Sequence, residues 1–174
     1  MAARKLSDDS TAIIELRKAR EHLPIGRQEA IWALTDLANA EFQSGNALNT
    51  VEIMKQVMTI IPPNMAGYLI SASGGGALTH GQLGDFEGAR AYLRTAENTF
   101  GRISRGPNFA FYRHQWTAGL EFARGEVFFA EGKLAEAEAA YRKALRELEL
   151  DKPDREQRTR QGMTQGTDEN SEAG

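Results

Sequence analysis

Apolar and small residues along this chain recur at the three-to-four-residue spacing of amphipathic helices, interrupted by glycine, proline and short polar stretches. The pattern predicts helices near residues 10–22, 27–44, 47–60, 65–83, 86–101, 108–131 and 134–149, so the fold class is all-α. Residues 1–9 are expected to be a flexible start and 10–150 a helical domain. After Leu150 no valine, isoleucine, leucine or aromatic residue occurs, and 151–174 is expected to be a disordered polar tail whose first residues extend the last helix. Pro107 suits the first turn of the sixth helix, where a missing amide hydrogen has no intrahelical partner to lose. Asn49 with Glu52 has the spacing of a capping box for the third helix, and Asn46 competes for that start.

Within this pattern one series of offsets repeats. Gly125 is followed at +7 by Gly132, at +5 by Ala137, at +4 by Tyr141 and at +3 by Ala144. The same offsets return as Ala77, Gly84, Ala89, Leu93 and Ala96. They return in degraded form as Ala38, Gly45, Thr50, Met54 and Val57, closed by Pro62. A half-copy, Ala12, Leu16, Ala19 and Pro24, opens the chain. Each glycine falls between two helical patterns, where a left-handed residue ends one helix tightly. The two small residues seven apart, flanking a large one, let another backbone approach while the large side chain fills the groove. Each copy is thus a helical hairpin that cannot bury its apolar face alone, and stacking makes the core continuous.

These residues resemble the tetratricopeptide repeat. Residues 118–150 match best, 70–100 next and 31–62 more weakly, and the start resembles a lone second helix. The family's period is about 34 residues, whereas Ala12, Thr50, Ala89 and Ala137 stand 38, 39 and 48 apart. The longer spacing implies longer helices or loops, similar to the long-period repeats of bacterial signalling and regulatory proteins. The resemblance implies a right-handed α-solenoid of about three and a half antiparallel helix pairs. The array opens on a second helix and closes without a polar capping helix. That is expected of a piece cut from a longer array, the favoured reading, of ends buried by self-association, or of atypical caps.

Composition narrows the chemistry. The 174 residues include no cysteine, which leaves no disulfide, thiolate metal site or thiol nucleophile. A net charge of -3 gives no reason to expect nucleic acid or an anionic membrane as partner. No apolar run approaches the roughly 18 residues of a membrane span, and the first ten residues lack the apolar stretch of a secretory signal. A cytoplasmic protein is expected.

Local motifs do not add catalysis. Gly76 and Gly81 have the spacing of a phosphate loop, but Gln82 and Leu83 stand where lysine and a hydroxyl residue are required. The glycine-rich segment 73–82 therefore needs another account: close helix packing, or a break that exposes backbone to a partner. His22, His80 and His114 are dispersed, and no metal is expected. The segment Gly101 to Gly106 is one residue too long for a nucleophile elbow and follows no strand. Glu136, Glu138, Glu147 and Glu149 interleave with Arg142, Lys143 and Arg146 as solvated, ion-paired faces do. No catalytic residue and no cofactor are expected.

The densest aromatic segment is 109–116, continued by Leu120, Phe122, Phe128 and Phe129. Trp116, Leu120 and Val127 share one helical stripe, which reads as core, while Phe122 and Phe129 lie on another that is available for a groove with Arg113 nearby. In the tetratricopeptide family the first helices of successive hairpins line a concave surface that receives peptides. The resemblance implies groove positions at Trp32, Thr35, Asn39 and Phe42, then Leu78 and Gln82, then Phe122, Glu126 and Phe129. The family's carboxylate clamp is absent, because Thr35, Gly75, Gly119 and Ala123 occupy positions where it needs polar or cationic groups, and only Asn39 matches. The function expected is a non-catalytic module that binds a peptide or partner domain, with a mixed apolar segment as guest. The alternative is a sensory segment coupling a ligand to an effector domain in a larger protein, and a self-assembling module is a third option.

Overall fold

The computed structural model describes residues 2–24 and 27–160. They form seven α-helices and no strand: α1 (Ala2–His22), α2 (Gln28–Gln43), α3 (Ala47–Ile60), α4 (Ala66–Gln82), α5 (Phe86–Ile103), α6 (Phe109–Ala130) and α7 (Leu134–Arg160). The fold is all-α, with neighbouring helices packed on one another inside each of two compact units, Met1–Ile61 and Pro62–Gly174. The division falls between Ile61 and Pro62, the first of two consecutive prolines. Ile61, the residue before the first proline, is extended (φ -64°, ψ 116°), as the following ring requires, and a 3-10 turn over Pro63–Met65 leads into α4.

All twelve interior helix boundaries fall within two residues of the sequence pattern. The outer ends differ. α1 reaches back to Ala2, through residues expected to be a flexible start, and α7 continues to Arg160 through Pro153. Residues 161–174, the rest of the expected tail, lie outside the described residues. Pro107 sits in the turn before α6 and not in its first turn, because Asn108 takes the cap position.

The repeated glycines do what their offsets predict. Gly45, Gly84 and Gly132 have φ of 81°, 73° and 73°, and no other described residue has positive φ. Each ends its helix with the same pair of bonds. The glycine N–H donates to a carbonyl three residues back (Phe42, Gly81 and Phe129, all 3.0 Å). The next N–H reaches five back (Glu41, His80 and Phe128, all 2.9 Å). This is a Schellman closure made three times, and it folds the next helix straight back on the last. Small residues at the repeated offsets are buried: Ala38, Ala77 and Gly125 before the turn, then Thr50, Ala89 and Ala137 after it. The opening half-copy departs from this, since Ala12 is exposed.

In the first unit α2 packs on both α1 and α3. Ile31, Leu34, Leu37 and Ala38 meet a buried face of α3 built from Thr50, Val51, Ile53, Met54 and Val57. Among these apolar groups Glu41 is wholly buried. Its carboxylate accepts from the guanidinium of Arg17 on α1, from Asn46 Nδ2 in the turn (2.8 Å) and from Asn49 Nδ2 on α3 (3.4 Å). Both asparagine side chains are thereby taken from capping, and the expected Asn49 box does not form: the cap position is Asn46, without a side-chain cap bond.

The second unit is two hairpins, α4–α5 and α6–α7, with α6 against both α4 and α5. Asp85 caps α5 by accepting from Gly88 N at 2.9 Å. Two core clusters lie between the helices: Ile70, Ala96, Leu120 and Ala123, then Ala77, Ala89 and Val127.

Candidate functional site

The glycines of α4 set the geometry of the site. Gly67, Gly74 and Gly81 are spaced by seven, so they form one stripe along the helix. A Cβ on Gly67 would stand 2.1 Å from Trp116 Nε1, one on Gly74 2.7 Å from Phe122 Cδ1, and one on Gly81 2.8 Å from Ala130 Cβ. The stripe is therefore the bed on which α6 lies. Gly76 faces the other neighbour, with its Cβ position 2.3 Å from the Tyr92 ring on α5. Close packing on two sides accounts for the glycine-rich segment, and Ser73 and Thr79 return their hydroxyls to the carbonyls of Leu69 (2.7 Å) and Gly75 (2.9 Å) within the helix. The crowded glycine segment is evident in the sequence, and the seven-residue stripe that begins at Gly67 is legible there as a spacing.

With α6 seated in this way, its aromatic residues separate into two sets. Trp116 stacks on Tyr112 (5.1 Å between centroids, 24°) and packs near Phe109, which meets Phe100 edge-on at 5.6 Å. Trp116, Phe100 and Ile103 cover the Ile70 cluster, so this set is packing. Phe122 and Phe129 lie on the other stripe, 38% and 59% exposed. Phe122 leans over Gly74 and toward the Tyr141 ring, 6.2 Å away, and Phe129 precedes the Ala130 that touches Gly81. Gln82, exposed at the end of α4, follows Gly81 and so stands at the Phe129 end of this face.

Two other expected groove residues lie elsewhere. Glu126 is only 7% exposed and is turned toward α7, where it pairs with the Tyr141 hydroxyl. Burial raises its pKa above the ordinary carboxylate value, and the bond from Tyr141 offsets part of that rise. Arg113 is exposed, but nine residues before Phe122 is about half a turn round the helix, and its guanidinium rests on His114 Nε2 at 3.0 Å. Trp32 and Asn39 on α2 of the first unit are exposed and Phe42 is half-buried. The face in the second unit is thus two phenylalanine rings with an amide at one end. Ion pairs hold its frame: buried Glu121 accepts from Arg124 (2.8 Å) and from Lys143 of α7 (2.9 Å), while Arg124 also reaches Glu97 of α5 (3.1 Å).

Among the described residues no group of three histidine, aspartate or glutamate side chains is placed to hold a metal ion, and no helix is long and apolar enough to cross a membrane. Residues 122–147 match the tetratricopeptide repeat family model. The match begins at Phe122 and takes in the end of α6, the Gly132 turn and most of the buried stripe of α7. No curated protein and no solved structure matches the chain.

Proposed function

We propose that this chain, whose residues 122–147 are a tetratricopeptide repeat, a non-catalytic protein–protein interaction element, binds an apolar segment of a partner protein along the Phe122–Phe129 face of α6. The observation that carries this reading is the sorting of the aromatic residues: the glycine stripe absorbs Trp116 and the edge of Phe122, and leaves Phe129 more than half exposed. Large rings held on a rigid helix are the side chains that dominate interface energies, because they bury much area and lose little conformational freedom on binding. The guest best suited is an amphipathic segment with apolar side chains for the two rings and a polar group for Gln82. Absence of lysine and arginine from this stripe argues against a carboxylate-terminated guest.

Phe129→Ala is expected to weaken partner capture by about thirtyfold, as loss of a central aromatic anchor does, with the melting temperature nearly unchanged because that ring is mostly in solvent. The check is quantitative capture from the native lysate by the immobilised chain, wild type beside variant, with thermal melts of both. Equal capture of the same proteins by both forms would contradict the assignment of this face.

A further inference from the structure

A second feature of this unit lies away from that face. Where α5, the end of α6 and the Gly132 turn meet, there is a cleft of about 300 Å³. Its apolar floor is Leu93, Val127 and Phe128, and its rim is Arg90, Arg94, Glu131 and Lys133. Glu131 sits between two of the cations: Arg90 Nε lies 2.5 Å from Oε1 and Lys133 Nζ 2.6 Å from Oε2. Those two bonds hold the Glu131 carboxyl below its ordinary pKa, so it stays ionised and offsets one of the three positive charges. Arg90 is further occupied by Glu87 at 2.7 Å, and Lys133 lies 5.9 Å from the centre of the Phe128 ring. Arg94 is different. It lines the cleft, is exposed and has no hydrogen-bond or ion-pair partner among the described residues, so its whole fork of donors is unengaged.

We propose that this cleft is a second docking site, for an acidic partner segment that places an apolar side chain on the Leu93–Val127–Phe128 floor and a neighbouring carboxylate on Arg94. Charge complementarity selects this occupant. The rim's three cations are met by Glu131 and, through Arg90, by Glu87, which leaves the Arg94 charge unpaired at the cleft in a chain whose net charge is -3. A volume of about 300 Å³ is at the small end of ligand pockets, enough for one apolar side chain and its flanking carboxylate. Val127 and Phe128 point to other sides of α6 than Phe122 and Phe129, so this site is distinct from the face proposed above and extends that reading.

The test uses a fluorescent peptide with two leucines flanked by aspartates and a twin with asparagine for every aspartate, titrated into the full chain by anisotropy. The acidic peptide is expected to bind at least about tenfold more tightly than its twin, and less tightly as salt rises toward 0.5 M. Arg94→Glu should reduce acidic-peptide binding by about tenfold while leaving the fold intact, since Arg94 holds nothing. Phe129→Ala should leave that binding unchanged, and Arg94→Glu should leave the Phe129-dependent capture unchanged, so the two sites fail separately. Amide shifts in nitrogen-15 spectra should centre on Arg94, Val127 and Lys133. Equal affinity for both peptides, no binding up to about 1 mM, an unchanged Arg94→Glu variant, or shifts centred elsewhere would each overturn the proposal.

Discussion

Ile70→Ala is expected to destabilise the second unit by about 2–5 kcal/mol, the range for deleting a fully buried aliphatic side chain. Ile70 has no exposed surface and sits among Ala96, Leu120 and Ala123, with Leu93, Phe100, Ile103 and Trp116 packed round them. Its Cγ2 is 3.1 Å from where a Cβ on Gly119 would stand, so α4 and α6 already touch at this level. The cavity left by truncation cannot close by bringing the helices together, because their backbones are at the limit the glycine stripe allows. Two of the four cluster residues are alanines and have no rotamer with which to fill it. Urea unfolding in a Trp32→Phe background, where Trp116 reports on the second unit, measures the effect. Leu83→Ala, at a residue 43% exposed, is the control and should change stability by less than about 0.5 kcal/mol. A loss below about 1 kcal/mol at Ile70 would mean that the cluster is not the tight core described here.

The second large effect is at Glu41. Replacing it with alanine removes the acceptor for Arg17, Asn46 and Asn49 at once and is expected to cost the first unit about 2–3 kcal/mol. The pH dependence makes the prediction specific. Burial pushes the Glu41 pKa up, but the hydrogen bonds from Arg17, Asn46 and Asn49 together outweigh it and leave the pKa below the ordinary 4.5. A carboxyl whose pKa is lower folded than unfolded contributes stability above the ordinary value, and loses it as pH falls through the lowered one. Glu41→Gln keeps an acceptor but cannot ionise. The stability gap between wild type and Glu41→Gln should therefore be widest near neutrality and shrink below pH 4.5. A gap of the same size at pH 7 and pH 3 would show that the charge on Glu41 contributes nothing.

The sequence and the structure agree where short-range physics decides. The turns at Gly45, Gly84 and Gly132 were legible because only glycine takes a left-handed φ cheaply at the end of a helix, and all three offsets led to the same closure. The buried small residues of α5 and α7 were legible from their spacing, as was the division of α6 into a Trp116 stripe and a Phe122 stripe. What escaped depends on groups far apart in the chain. Glu41 reads as one more charge on an amphipathic helix, and its burial is made tolerable by Arg17, 24 residues upstream. Glu126 reads as a groove residue by its position in the repeat, but its partner Tyr141 lies across the Gly132 turn and draws it beneath the surface. The helical starts and ends beyond the apolar pattern, from Ala2 and to Arg160, carry no hydrophobic period from which to predict them.

The central claim is that α4 presents a glycine stripe on which α6 is seated, leaving the Phe122–Phe129 side of α6 open. Thermal melts of Gly67→Ala and Gly101→Ala, run side by side, test it by sign. Both glycines lie in helices, where alanine is favoured by about 0.5–1 kcal/mol. Around Gly101 nothing lies within 4 Å of an added Cβ, so that variant should melt higher than wild type. At Gly67 the Cβ would meet the indole of Trp116, which is held between Tyr112 and Phe109, so that variant should melt lower despite the same intrinsic gain. Opposite shifts are the predicted result; two upward shifts would contradict the seat on α4, and with it the separation of packed from presented rings.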